Sequence, residues 1–80
     1  MTIIEYRDSS AIKARGPWYT FSYENGRRAS LSDYQGDVHD LEDIGRKLSK
    51  ESGREVRMKV HTPRGEFIHA IFIYGRPTRR

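Results

Sequence analysis

Apolar and polar positions alternate with a strand's period in two stretches of the chain, and with a helix's period in a third between them. The first stretch, WYTFSYENGRRASLS (18–32), carries Tyr19, Phe21 and Tyr23 on one parity and breaks at Asn25-Gly26, a hairpin signal. A two-residue turn there would set Phe21 and Tyr23 opposite Ser30 and Arg28. A three-residue loop with Gly26 left-handed pairs Tyr23 with Arg27, Phe21 with Ala29 and Tyr19 with Leu31, gathering the aromatic rings, Ala29 and Leu31 on one face. Register follows the buried face, so the three-residue loop is the expected one.

The stretch REVRMKVHTPRGEFIHAIFIYG (54–75) predicts a second hairpin, with Thr62-Pro63-Arg64-Gly65 as its turn and Pro63 in the second position. A three-residue loop pairs Thr62 with Glu66, Val60 with Ile68, Met58 with Ala70 and Val56 with Phe72. One face is then wholly apolar: Val56, Met58, Val60, Ile68, Ala70 and Phe72. The same register puts Arg57, Lys59, His61, Phe67, His69, Ile71 and Ile73 on the opposite face.

DVHDLEDIGRKLSKESG (37–53) is the helix. Val38, Leu41, Ile44, Gly45 and Leu48 form a narrow apolar stripe, Asp37 is placed to cap the N-terminus and Gly53 to end it. Acidic residues come early and basic ones late, matching the helix dipole. TIIEYR (2–7) is a first strand, DSSAIKARGP (8–17) a loop, and RPTRR (76–80) a short mobile basic tail. The expected fold is α+β: a mostly antiparallel sheet in the order β-β-β-α-β-β, with one helix on one face. A single helix covers one face of such a sheet and leaves the other partly open. The open face joins Phe67, Ile71 and Ile73 to Arg57, Lys59, His61 and His69, an apolar centre in a cationic surround, as in a contact surface or homodimer seam. Its alternative is coverage by the chain itself, through the N-terminal loop, Trp18 or the tail.

Eighty residues, 35% hydrophobic and 32% charged, make a single domain (1–80) with a small core and no room for separate substrate and catalytic subsites. The initial Met suggests a complete small open reading frame. There is no cysteine, which excludes disulfides, thiolate metal sites and cysteine nucleophiles and fits a reducing cytoplasm. No apolar run approaches the ~18 residues of a membrane span, and the N-terminus lacks the pattern of a signal peptide. The net charge of +4 is uneven: residues 1–40 carry five basic and six acidic groups, residues 41–80 ten and five. The basic half invites a polyanion or an acidic protein surface.

Three functions follow as expectations. The first is non-enzymatic binding through Arg57, Lys59, His61, Arg64, Phe67, His69, Ile71 and Ile73. The second is direct nucleic-acid binding as a small regulator, helped by a secondary basic patch of Arg27, Arg28 and Arg54. The third is a ribonuclease toxin with His61 and His69 as an acid/base pair, diagonal neighbours in the expected register. The two histidines lack further ligands, so no metal and no cofactor is expected. No phosphate loop or Ser-His-Asp set is present. The format resembles that of the small single-domain inhibitors encoded by phages and mobile elements, including anti-CRISPR proteins. The likeness lies in a short cysteine-free chain, a hairpin sheet, one helix and no enzymatic motif. It spans the whole chain as architecture and carries over no motif or residue. It implies a stoichiometric binder that blocks a host nucleoprotein complex in the host cytoplasm.

Overall fold

The computed structural model describes residues 4–6, 17–74 and 76–78, with side chains over 17–74. The chain runs β1 (Ile4–Tyr6), β2 (Trp18–Tyr23), β3 (Asp33–Gln35), α1 (Val38–Ser52), β4 (Val56–Thr62), β5 (Gly65–Ile73) and β6 (Arg76–Thr78). The strands form one antiparallel sheet in the order β1-β3-β2-β4-β5-β6, so the fold is α+β as expected, with the first strand at an edge. The expected mobile tail is corrected in part. Residues 76–78 pair with β5 and form the other edge, while 79 and 80 lie outside the described residues. No described helix is long and apolar enough to cross a membrane.

Helix α1 starts and stops where its end residues dictate. Asp37 is extended, and its carboxylate accepts the His39 N–H at 2.8 Å and the Asp40 N–H at 3.4 Å. Gly53 takes φ +67°, and its N–H donates to the Ser49 carbonyl at 2.9 Å. The helix links β3 to β4, which lie on either side of β2 and run parallel, so the connection must cross one face of the sheet. Leu41, Gly45 and Ser49 sit at the bottom of that crossing, fully shielded, with Val38, Ile44 and Leu48 packed alongside. From the sheet, Phe21, Tyr34, Val56, Met58, Ala70 and Phe72 complete the core. Ser49 donates to the Phe72 carbonyl at 3.1 Å and the Arg54 carbonyl at 2.8 Å, which satisfies a buried hydroxyl.

The first hairpin begins in the expected register. The Tyr23 N–H donates to the Arg27 carbonyl at 2.8 Å, the Ala29 N–H to the Phe21 carbonyl at 2.8 Å, and Gly26 has φ +88°. It departs after Ala29. The third strand is not the return arm through Leu31 but β3, with Tyr34 opposite Tyr19. Leu31 stands 87% exposed. Tyr34 is the better core residue, because its ring packs edge-on against Phe21 at 5.4 Å while its hydroxyl reaches Ser30 Oγ at 2.8 Å. Arg28 fastens the detour by donating to Asp33 Oδ1 at 2.6 Å and the Ser32 carbonyl at 3.0 Å.

The second hairpin carries two irregularities that offset each other. Val56 pairs with Phe72 and Met58 with Ala70, as expected. The turn, however, has only Pro63 and Arg64 between paired Thr62 and Gly65, one residue fewer than expected. A β-bulge then restores the count. Lys59 pairs with Ile68 and Met58 with Ala70, leaving His69 as the extra residue on β5. Between turn and bulge every β5 side chain is reversed. Phe67, opposite Val60, lies on the helix side, and Ile68, opposite Lys59, lies on the open side. His69 also turns to the helix, where its Nε2 meets Glu42 Oε2 at 2.9 Å.

Candidate binding face of the sheet

The face away from α1 follows from the ladder. Trp18, Thr20 and Ser22 of β2 alternate with the core rings. Arg57, Lys59 and His61 of β4 oppose them, and Glu66, Ile68, Ile71 and Ile73 of β5 continue the row. Thr20 and Ser22 are small and buried among these longer neighbours. Ile68 and Ile73 are 39% and 38% exposed, and Ile71 is half-buried between them.

The residues expected here therefore divide. Arg57, Lys59, His61, Ile71 and Ile73 lie on the open face. Phe67 does not: the shortened turn moves it to the helix side, where it is 56% exposed. His69 does not either, since the bulge aims it at Glu42 and sets the Tyr19 ring edge-on to it at 6.1 Å. His61 and His69 consequently lie on opposite faces of the sheet, which removes the acid/base pair of the ribonuclease expectation. Arg64 is exposed on the turn, off the face. Ile68, Trp18, Thr20 and Glu66 belong to the face and were not foreseen as site residues. Trp18 shares its parity with Thr20 rather than with Tyr19, which was the available signal. Its ring covers part of the face, so self-coverage is realised at that corner.

His61 is held on three sides. Trp18 stacks flat on it, with centroids 4.0 Å apart and planes 8° from parallel. Its Nε2 lies 2.7 Å from Thr20 Oγ1 and its Nδ1 3.3 Å from Glu66 Oε2. Burial pushes the imidazole below its usual pKa, and the Glu66 carboxylate pulls weakly the other way. A neutral ring with its proton on Nδ1 satisfies both neighbours, donating to Glu66 and accepting from the Thr20 hydroxyl. The carboxylate–imidazole–hydroxyl line has the order of a nucleophilic triad. Thr20 is only 3% exposed, however, so the hydroxyl is closed to a substrate and serves to orient the ring.

The cationic surround is compensated. Arg57 Nε donates to Glu55 Oε2 at 2.8 Å, Lys59 Nζ lies 3.9 Å from Glu66 Oε1, and Arg28 pairs with Asp33. Register puts Arg28, Asp33, Arg57, Lys59 and Glu66 on the open face, and Glu55 is bonded to Arg57 beside it, so these three described cations each meet a carboxylate. The secondary basic patch is dispersed in the same way. Arg54 donates to Glu24 Oε1 at 2.8 Å and lies over the Tyr23 ring at 4.3 Å, and its hydrogen bond holds the Glu24 carboxyl below its ordinary pKa. Arg28 is bound to Asp33. Among the described residues Arg27 and Arg64 form no ion pair.

Among the described residues no three His, Asp or Glu side chains are grouped to hold a metal ion. The chain matches no protein-family model, no curated protein and no solved structure.

Proposed function

We propose that this chain is a non-enzymatic binding protein that meets another protein through the open face of its sheet. The supporting observation is the row Ile68, Ile71 and Ile73 on the face away from α1, beside the described cations Arg57 and Lys59, which are paired with carboxylates. Exposed apolar groups with balanced charge suit a protein contact. A phosphate backbone asks for unpaired cations, and among the described side chains of this face Arg28, Arg57 and Lys59 are each paired. The likeness in format to small phage inhibitors adds the finer part of the proposal: a host nucleoprotein complex as the eventual target, met in the host cytoplasm.

A benzophenone amino acid placed at Ile71, and separately at exposed Lys50 on the helix, tests this in cells that make the protein. Cross-linked protein adducts are expected from position 71 and not from 50. Adducts from position 50 alone would assign the contact to the helix face. A gel shift at low salt completes the test, with no retardation of RNA or DNA expected. Retardation that weakens steeply with salt would favour the nucleic-acid reading instead.

A further inference from the structure

We infer that Ser30 is a phosphorylation site for a serine kinase whose acidic substrate cleft reads arginine. The inference goes beyond the sheet face as a protein contact and does not depend on it.

The segment Arg27-Arg28-Ala29-Ser30-Leu31 sets two guanidinium groups just before a hydroxyl and a leucine directly after it. Kinases choose acceptors by the charge pattern around them. Carboxylates in the cleft pair with arginines, and an apolar pocket takes the following side chain. A five-residue pattern is common by chance, so its presentation decides. Residues 27–32 lie between β2 and β3, outside both strands. Arg27 is exposed and, among the described residues, forms no ion pair. Leu31 is 87% exposed, since Tyr34 takes the core position instead. Ser30 is half-buried, and its Oγ is held by near neighbours, the Tyr34 hydroxyl at 2.8 Å and the Ser32 N–H at 3.3 Å. Both partners lie within four residues, so local opening of this loop frees the hydroxyl while α1 stays packed on β4 and β5.

The co-reactant is ATP. Ser30 Oγ forms a bond to the γ-phosphorus, and the bond from that phosphorus to the bridging oxygen breaks. ADP leaves, and the hydroxyl proton passes to the carboxylate base of the kinase. The new group carries a charge of about −2 and sits where β3 is fastened. Arg28 is its nearest cation, because the guanidinium bonds the Ser32 carbonyl at 3.0 Å while Ser30 Oγ accepts the N–H of the same residue. The phosphate draws Arg28 from Asp33, now 2.6 Å away. Asp33 is buried, so its carboxylate is left without its cation. The Ser30–Tyr34 bond is lost in the same step. Phosphorylation therefore loosens β3, the strand that holds Tyr34 against Phe21.

The full chain, incubated with MgATP and an arginine-directed serine kinase (the cyclic-AMP-dependent enzyme), tests this. Tandem mass spectrometry should find one phosphoryl group, on Ser30, and Ser30→Ala should abolish it. The folded chain should be labelled within about a hundredfold of the rate of a free peptide spanning 25–35, the cost of local opening. Access through global unfolding would be slower than the peptide by about a thousandfold or more. Arg27→Ala and Leu31→Ser each remove one recognition group without touching the core. Each should lower kcat/KM by about tenfold, at an unchanged Tm. The phosphorylated chain should melt roughly 5 °C or more below the parent and recover after phosphatase treatment. Label on another residue, labelling only at the global-unfolding rate, or a rate indifferent to both substitutions would each overturn the site. A Tm unmoved by the phosphate would overturn the transfer of Arg28 from Asp33.

Discussion

Gly45 is the point where the helix touches the sheet most closely, and Gly45→Ala should destabilise the protein although alanine is the better helix former. A Cβ built on Gly45 meets the Phe72 ring at 2.7 Å from Cδ2 and 3.1 Å from Cζ, and lies closer still to Cε2. Ordinary contact begins at 3.4 Å, so ring and helix must separate by about 0.7 Å or more. Phe72 is fully buried and has no room to retreat. If the helix lifts instead, the 3.1 Å bond from Ser49 to the Phe72 carbonyl stretches out of range. Overpacking of this kind costs about 1–3 kcal/mol. Loss of the buried hydroxyl's partner costs about 1 kcal/mol more, and the helix propensity of alanine returns about 1 kcal/mol. The net loss is about 1–3 kcal/mol, equivalent to a Tm drop of roughly 5–20 °C in a domain of this size.

Thermal and urea unfolding followed by far-ultraviolet circular dichroism measure this directly. The cause is isolated by repeating the substitution in a Phe72→Leu background, where the smaller side chain makes room. There the penalty of Gly45→Ala should shrink by about 1 kcal/mol or more. A Gly45→Ala variant as stable as the parent would refute the close approach. An equal penalty in both backgrounds would show that the ring is not its source.

Two further predictions concern the exposed features. Leu31→Ser should change stability by less than about 0.5 kcal/mol, while Leu41→Ala should cost about 2–5 kcal/mol; comparable losses would restore Leu31 to the core. The sole tryptophan, stacked on His61, reports that ring's protonation by quenched fluorescence, with a midpoint below the ordinary 6.5. Between 6.5 and that lower value the unfolded chain binds the proton and the folded chain does not, so stability falls as pH drops through this window. A midpoint at or above 6.5 would show that burial does not govern the ring.

What could be read from the sequence was whatever depends on near neighbours. Asp37 and Gly53 mark the helix because caps act within a turn of it. The Gly26 loop is legible because an aromatic parity sits beside an Asn-Gly pair. Tyr34 could not be found that way, since its claim on the core rests on Ser30 and Phe21 together, and the Arg28–Asp33 pair that permits the detour has no periodic signal. The second hairpin failed at the candidate site itself. Apolar parity alone favoured Ile68 inward, whereas pairing Glu66 with His61 and Lys59 favoured the shorter turn. Counting cross-strand charges as well as apolar positions would have found it.

The bulge at His69 and the buried carboxylate of Glu42 account for each other. In a regular ladder His69 would face away from α1, and Glu42, 7% exposed in its side chain, would lose the imidazole 2.9 Å away. Ile68 would enter the core and Phe67 would take its place on the open face, so the apolar face would be a different one. Burial of Ile68 would favour that arrangement by about 1–2 kcal/mol. The observed register therefore needs a specific polar interaction to hold it, and the Glu42–His69 pair lies at the one residue the bulge adds. Glu42→Ala should remove this selection. Stability should fall by about 1–3 kcal/mol as His69 loses its buried partner. Backbone NOEs should show Val60 beginning to pair with Ile68 as well as Phe67, with exchange broadening confined to residues 59–69. If Val60 keeps Phe67 as its sole partner and stability stays within about 0.5 kcal/mol, turn chemistry and the Glu66 charge pairs specify the register without Glu42.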